Sequence, residues 1–226
     1  MFKPSLKQRV IRKTQRLLPQ IMLPLRRKLI NNKDFTIIAN NCWGGITYEY
    51  FGMQKLSPTV GMWFFADDYI KFISNLKHYV GLEIHIISPE ESKYYEKLIT
   101  MGSTSGLVGV LGDIEIVMLH FHDKEIAKEK WERRVERINW DNLIFKFSYM
   151  NDCTYELLAE FEKLDFTDIS SNYKKIMFVP KPMPEFKSAI YIHGFENEPQ
   201  ITNDTFVFNQ YFKLYSFING KGLIQK

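Results

Sequence analysis

Two tracts of this chain carry side chains able to do covalent chemistry, and both lie at the predicted end of a strand. The first is Asp34-Phe-Thr-Ile-Ile-Ala-Asn-Asn-Cys-Trp-Gly-Gly45, the second Asp113-Ile-Glu-Ile-Val-Met-Leu-His-Phe-His-Asp123. In the first, the short β-branched run 35–39 predicts a buried strand, and the Asn pair with the following glycines predicts a sharp turn. Cys42 then stands just past the C-terminal end of a strand and before a helix, the edge on which open α/β sheets build their sites. A thiol there is a nucleophile if a base can reach it. The N–H groups around Asn41, Trp43, Gly44 and Gly45, at a helix N-terminus, are placed to receive an oxyanion. The alternative is that Cys42 is a small buried apolar residue, as free cysteines often are.

Strand alternation in the second tract predicts Ile114, Ile116, Met118, His120 and His122 on one face and Glu115 and Val117 on the other. If the two strands are parallel neighbours, thiol and imidazole meet, and pairing with either histidine would favour the thiolate. Asp123 is a candidate to orient the ring, as are Asp67, Asp68, Asp141 and Asn142. No third ligand accompanies His120 and His122, so no metal or other cofactor is expected. The structural alternative for each histidine is a hydrogen-bonding residue at a strand end. His78 and His85 fall in ordinary amphipathic elements, and His193 is a loop residue.

A third feature is Trp131-Glu-Arg133-Arg134-Val-Glu-Arg137, in a charged helix predicted over 124–138. Arg133 and Arg137 share a face and Arg134 stands beside it, a grouping suited to a phosphate or sugar carboxylate. The competing reading is a solvated face of ion pairs, because Glu129, Glu132 and Glu136 are interleaved.

The elements that must position these residues alternate along the chain. Helices are predicted over 46–53, from Asp67 or Asp68 to 79, and over 90–100, 124–138, 154–164 and 208–218. Strands are predicted over 35–39, 82–88, 107–111, 114–120, 142–148, 175–179 and 188–193, with a hairpin at Gly112-Asp113. This order predicts a layered α/β/α fold with a mixed, mostly parallel sheet, formed by residues 34–226 as a single α/β domain.

Residues 1–33 differ in kind: they hold ten Lys and Arg and no acid. The other 20 basic and 26 acidic residues leave the body near −6 although the whole chain carries +4. Nucleic-acid binding by the body is therefore disfavoured. The arm is amphipathic, with Pro19 and Pro24 expected to prevent one continuous helix. It reads either as a peripheral anchor on anionic lipid at the inner face of the cell membrane or as a helix packed on the body. No apolar run is long enough to span a bilayer. Two distant cysteines, Cys42 and Cys153, point to a reducing cytoplasmic compartment.

Several of these motifs together resemble a known group. Asn40-Asn-Cys-Trp-Gly-Gly45, Ser57-Pro-Thr-Val-Gly61 with the following Trp-Phe-Phe, Asp68-Tyr-Ile-Lys-Phe72, and Lys130-Trp-Glu-Arg-Arg134 with Arg137-Ile-Asn-Trp-Asp-Asn142 resemble an uncharacterised bacterial family. Its members are often labelled exopolysaccharide or capsule biosynthesis proteins. Aligned on Ala127 and Trp131, the family's histidine-aromatic pair falls on His120-Phe121. More remotely, the order of Cys, His and Arg-Arg-x-x-Arg is similar to a group called papain-like cysteine peptidases, although the Gln-x-x-x-x-x-Cys run of papain is missing. The resemblance implies a polysaccharide pathway; joined to the candidate residues Cys42, His120, His122 and Asp123, it leads to the expectation of acyl transfer or hydrolysis on a glycan or glycolipid intermediate. Two alternatives stay open. One is a glycosyltransferase or sugar-phosphate transferase using Asp68, Arg133, Arg134, Arg137, Asp141 and Asn142; the other is a non-catalytic glycan-binding module.

Overall fold

The computed structural model describes residues 19–226 except Phe208. The expectations for the first eighteen residues of the arm lie outside this range. Eight α-helices are described: α1 (Pro19–Lys28), α2 (Trp43–Phe51), α3 (Ala66–Ser74), α4 (Leu76–Gly81), α5 (Tyr95–Met101), α6 (Lys124–Val135), α7 (Tyr155–Lys163) and α8 (Leu214–Ile218). Seven strands accompany them: β1 (Thr36–Ala39), β2 (His85–Ile87), β3 (Leu107–Leu111), β4 (Ile114–Met118), β5 (Leu143–Ser148), β6 (Tyr173–Val179) and β7 (Ala189–Tyr191).

The fold is the layered α/β architecture expected. Strands β1, β5, β6 and β7 form a parallel sheet in that order. Its two faces are covered by different helices, which is why its strands read as continuous apolar runs. Ile38, Phe145, Phe147 and Met177 pack with Tyr69 of α3, Trp131 of α6 and Phe161 of α7. Ile37, Ile144, Ile176 and Phe178 pack with Trp43 and Tyr48 of α2 and Phe217 of α8. The Tyr69 hydroxyl lies 2.9 Å from the carbonyls of both Ile38 and Lys146, fastening β1 to β5 from beneath.

Strands β2, β3 and β4 form a separate antiparallel sheet. The hairpin at Gly112 is as predicted, with φ +60° at the glycine. The thiol-bearing and imidazole-bearing strands are therefore not parallel neighbours; they belong to different sheets. The segment 62–65 joins them. Phe64 N donates to the Asn40 carbonyl at 3.1 Å, and Trp63 forms an antiparallel bridge with Val117 of β4.

Several boundaries moved, for local reasons. Strand β4 ends at Met118, and Phe121 N turns back to the Met118 carbonyl at 3.0 Å. His120 and His122 thus lie in a turn and a loop rather than on a strand face. The predicted helix from Asp67 or Asp68 to 79 breaks at Asn75, and α6 stops at Val135. Thr154 caps α7, its Oγ1 accepting from Leu157 N. The 208–218 prediction shrinks to the five residues of α8. Pro24 sits inside α1 without ending it. Helix α1 packs on α2: Leu23 lies 3.1 Å from where a Cβ on Gly52 would stand, and the Arg26 guanidinium covers the Tyr50 ring at 4.1 Å. Among the described residues, no helix is long and apolar enough to cross a membrane.

Candidate functional site

The turn at the end of β1 is built by its two asparagines. Asn40 extends the β1–β5 ladder with its side chain, donating to the Ser148 carbonyl and accepting from Ser148 N, both at 3.1 Å. Asn41 Oδ1 accepts the Trp43 N–H at 3.1 Å, which closes the turn and starts α2. Cys42, between them, is half-buried at the helix N-cap position. Gly44 and Gly45 are needed for close approach: a Cβ on either would stand 3.1 Å from Ile37 Cγ2 or Val60 Cγ1 respectively. Their N–H groups lie in the first helical turn and have no acceptor within the helix.

The loop Ser57-Pro-Thr-Val-Gly61 is the second component. Ser57 Oγ accepts from Thr59 N at 3.2 Å, and Thr59 Oγ1 accepts from Ala39 N at 3.4 Å, tying the loop to the end of β1. Gly61, at φ +75°, turns the chain where a side chain would be strained. Three successive loop residues then meet three candidate groups. The Val60 carbonyl accepts from Arg134 Nη1 at 2.7 Å. A Cβ on Gly61 would stand 3.5 Å from His120 Cδ2. The Met62 carbonyl accepts from the Cys42 thiol at 4.0 Å. Cys42, His120 and Arg134 therefore gather around one short loop, although they come from three unrelated elements.

The electrostatics do not favour a resting thiolate. Burial pushes the Cys42 thiol up from its ordinary value and Asp204 pushes it further; Lys146 opposes them. Burial also lowers Arg134, with Arg133 and Arg137 adding like-charge repulsion.

The remaining predicted residues scatter. His122 is exposed in the segment before α6, and Asp123 is the N-cap of α6, its Oδ1 accepting from Ile126 N at 2.9 Å. Asp68 is fully buried in α3, accepting from Glu115 N at 2.8 Å and Lys93 Nζ at 2.9 Å, so it braces α3 against the antiparallel sheet. Asp67 is exposed and paired with Lys71. Asp141 and Asn142 precede β5, at the N-terminal edge of the parallel sheet; Asn142 Nδ2 donates to the Asp34 carbonyl. The six residues of β5 put them roughly 20 Å from the Cys42 edge. Arg133 is exposed and paired with Glu129, and Arg137 lies just beyond the end of α6. Arg134, the residue placed beside that face, is the one that turns inward. Among the described residues, no three His, Cys, Asp or Glu side chains come together to hold a metal ion.

Two further residues belong to the site. Lys146, on central strand β5, is completely buried; its Nζ donates to Asp204 Oδ2 at 2.5 Å, to Asn41 Oδ1 at 3.0 Å and to Ser148 Oγ. Asp204 comes from a single 3₁₀ turn, Asp204–Phe206, and also takes the Asn41 amide at 2.7 Å. A signal existed for Lys146, a charge in the middle of the apolar run Leu143-Ile-Phe-Lys-Phe. None existed for Asp204, 58 residues further along in a loop.

Comparison with known proteins shows kinship without an assigned activity. The model of a family described as "Domain of unknown function (DUF1919)" matches residues 12–219. A protein of Haemophilus influenzae named "Uncharacterized protein" is 31% identical over 185 residues, covering 82% of this chain and 80% of the relative.

Proposed function

We propose that this chain, which belongs to the DUF1919 family, is an enzyme of exopolysaccharide or capsule assembly. In this reading it transfers or hydrolyses an acyl group on a glycan or glycolipid intermediate through Cys42 and His120. One observation carries the proposal: Arg134, His120 and Cys42 meet three consecutive residues, Val60, Gly61 and Met62. The polysaccharide pathway itself comes from the resemblance of the Cys-Trp-Gly-Gly and Trp-x-Arg-Arg motifs.

Because burial holds the thiol protonated, the nucleophile must form together with its attack. The Cys42 proton passes to an imidazole nitrogen of His120 as Sγ adds to the acyl carbonyl. The Gly44 and Gly45 N–H groups receive the oxyanion. Collapse breaks the bond to the leaving oxygen or sulfur, which takes the proton back from the imidazolium and leaves a Cys42 thioester. Water or a sugar hydroxyl then gives its proton to His120, attacks the thioester and frees the thiol. Arg134 holds the loop and contributes positive charge beside it.

Intact-mass spectrometry after exposure to a p-nitrophenyl acyl ester tests this. An acyl adduct on Cys42, absent in Cys42→Ala and much slower in His120→Asn, is the expected result. Unchanged polysaccharide acylation in cells carrying Cys42→Ala would sink it. The raised thiol favours one competing reading, a glycan-binding module in which Cys42 is structural. Saturable binding of an oligosaccharide unaffected by Cys42→Ala, without any adduct, would decide for that alternative. The sugar-phosphate transferase reading has less support, since Asp68 is fully buried and already bonded to Glu115 N and Lys93.

The same reading places residues 1–33 on anionic lipid, where lipid-linked glycans are assembled. The exposed side chains of Met22, Leu25 and Leu29, with Arg27 and Lys28, support it.

A further inference from the structure

A lysine in the centre of a buried parallel strand requires an explanation. Desolvating an ammonium is costly, and an apolar residue of similar volume commonly serves such a position as well or better. Lys146 has no solvent exposure and spends its three N–H donors on Asp204, Asn41 and Ser148, with the Phe178 ring 4.9 Å away. Both members of the ion pair then converge on one amide. Asn41 accepts from Lys146 through Oδ1 and donates to Asp204 through Nδ2. Asn41 is also the residue whose Oδ1 closes the turn onto Trp43 N. On the other side of Cys42, the Trp43 indole donates to the Val207 carbonyl at 2.8 Å, three residues after Asp204. Each neighbour of Cys42 is thus tied to the segment 204–207, which the ion pair anchors to the sheet.

We propose that Lys146 and Asp204 are positioning residues for Cys42, holding its turn through Asn41 and balancing each other's charge beneath the thiol. The charged groups that act on the thiol are Asp204 and Lys146, with Glu49 of α2 and Lys55 of the loop after it. Glu49 and Lys55 also form an ion pair, at 2.6 Å. The thiol accordingly sits among two opposed pairs. Removing Lys146 leaves Asp204 to repel the thiolate; removing the Asp204 charge leaves Lys146 to attract it in the pH range where the lysine, which burial lowers and Asp204 raises, keeps its proton. A pair that only pinned the 3₁₀ turn to the sheet would produce no such opposition of sign.

The inference rests on Cys42 being the reactive group, and its test reads that group directly. Full-length protein is alkylated with iodoacetamide from pH 7 to 10, and Cys42 modification is followed by peptide mass spectrometry, which separates it from Cys153. Lys146→Met should slow alkylation at a fixed pH and Asp204→Asn should accelerate it. Each change should be severalfold. The charge-neutral double variant Lys146→Met/Asp204→Leu should return near the native profile. Single variants that move in the same direction, or not at all, would overturn the proposal. Should Lys146→Met fail to fold, the comparison passes to Asp204→Asn and the double variant, and equal rates for those two would overturn it. An opposed response without any acyl adduct on Cys42 would leave the positioning relationship standing and remove the acyl-transfer reading.

Discussion

Arg134 and Val60 are 74 residues apart in sequence, yet the guanidinium of α6 donates to the Val60 carbonyl at 2.7 Å. That bond joins the outer helix layer to the loop on which Cys42 and His120 also converge. A charge-assisted bond to a carbonyl contributes on the order of 1.5–3 kcal/mol. Arg134→Ala should therefore lower stability by about that much and reduce any Cys42-dependent activity. Arg133→Ala, which removes only an exposed pair with Glu129, should stay within about 0.5 kcal/mol of the native protein. Urea unfolding of the two variants side by side checks the difference; equal losses would mean that the Val60 bond has no special weight.

Gly106 is a second point of leverage on the site. A Cβ there would stand 2.7 Å from the Met118 carbonyl oxygen and 2.9 Å from Leu119 Cα, both backbone atoms. Gly106→Ala must displace the end of β4 and, with it, the turn that carries His120. Overpacking of this kind costs about 1–3 kcal/mol. The expected outcome is a lower melting temperature together with shifted His120 ring resonances in a ¹H–¹³C NMR spectrum. A variant with both unchanged would show that the turn adjusts without cost.

The second cysteine sets part of the alkaline stability. Burial pushes the Cys153 thiol up from 9.0 to about 12. Its folded value is raised, so between these limits the folded chain holds a proton that the unfolded chain has lost. Stability is fully present below pH 9 and falls as pH rises toward 12, by up to about 1.4 kcal/mol per pH unit for this one group. Cys153→Ala should flatten the decline of unfolding free energy from pH 9 to pH 11. An unaltered slope would assign the alkaline loss to other buried groups, such as the phenols of Tyr48 and Tyr69, whose values are raised in the same direction.

Helix α1 turns Leu23 and Arg26 toward α2 and leaves Leu25 exposed, as is Leu29 just past its end. Basic residues near an anionic bilayer contribute on the order of 1 kcal/mol each. Full-length protein should sediment with vesicles containing anionic lipid at low salt and be released at high salt. Leu25→Glu/Leu29→Glu should weaken that binding severalfold without changing the melting temperature. Equal sedimentation of both proteins with anionic and neutral vesicles would reduce the arm to a packing element.

What the sequence determined by itself was mostly local. Strand β1, the Gly112 hairpin, the buried run of β5 and the turn after Ala39 were legible because apolar period and turn residues act within a few positions. The membership of Cys42, Asn41, Gly44 and Gly45 in one strand-end turn was readable for the same reason. Tertiary structure decided everything that depends on which strand lies beside which. The pattern of β4 predicts its hairpin with β3 but cannot say that its other edge meets Trp63 instead of β1, so His120 reaches the loop beside Cys42 by a different route from the one expected. Helical spacing put Arg133 and Arg137 on one face but could not say which face meets the body, and it is Arg134 that does. Lys146 and Asp204 are the extreme case. A buried charge is tolerated only with a partner, and that partner came from a loop 58 residues away that no local pattern marks.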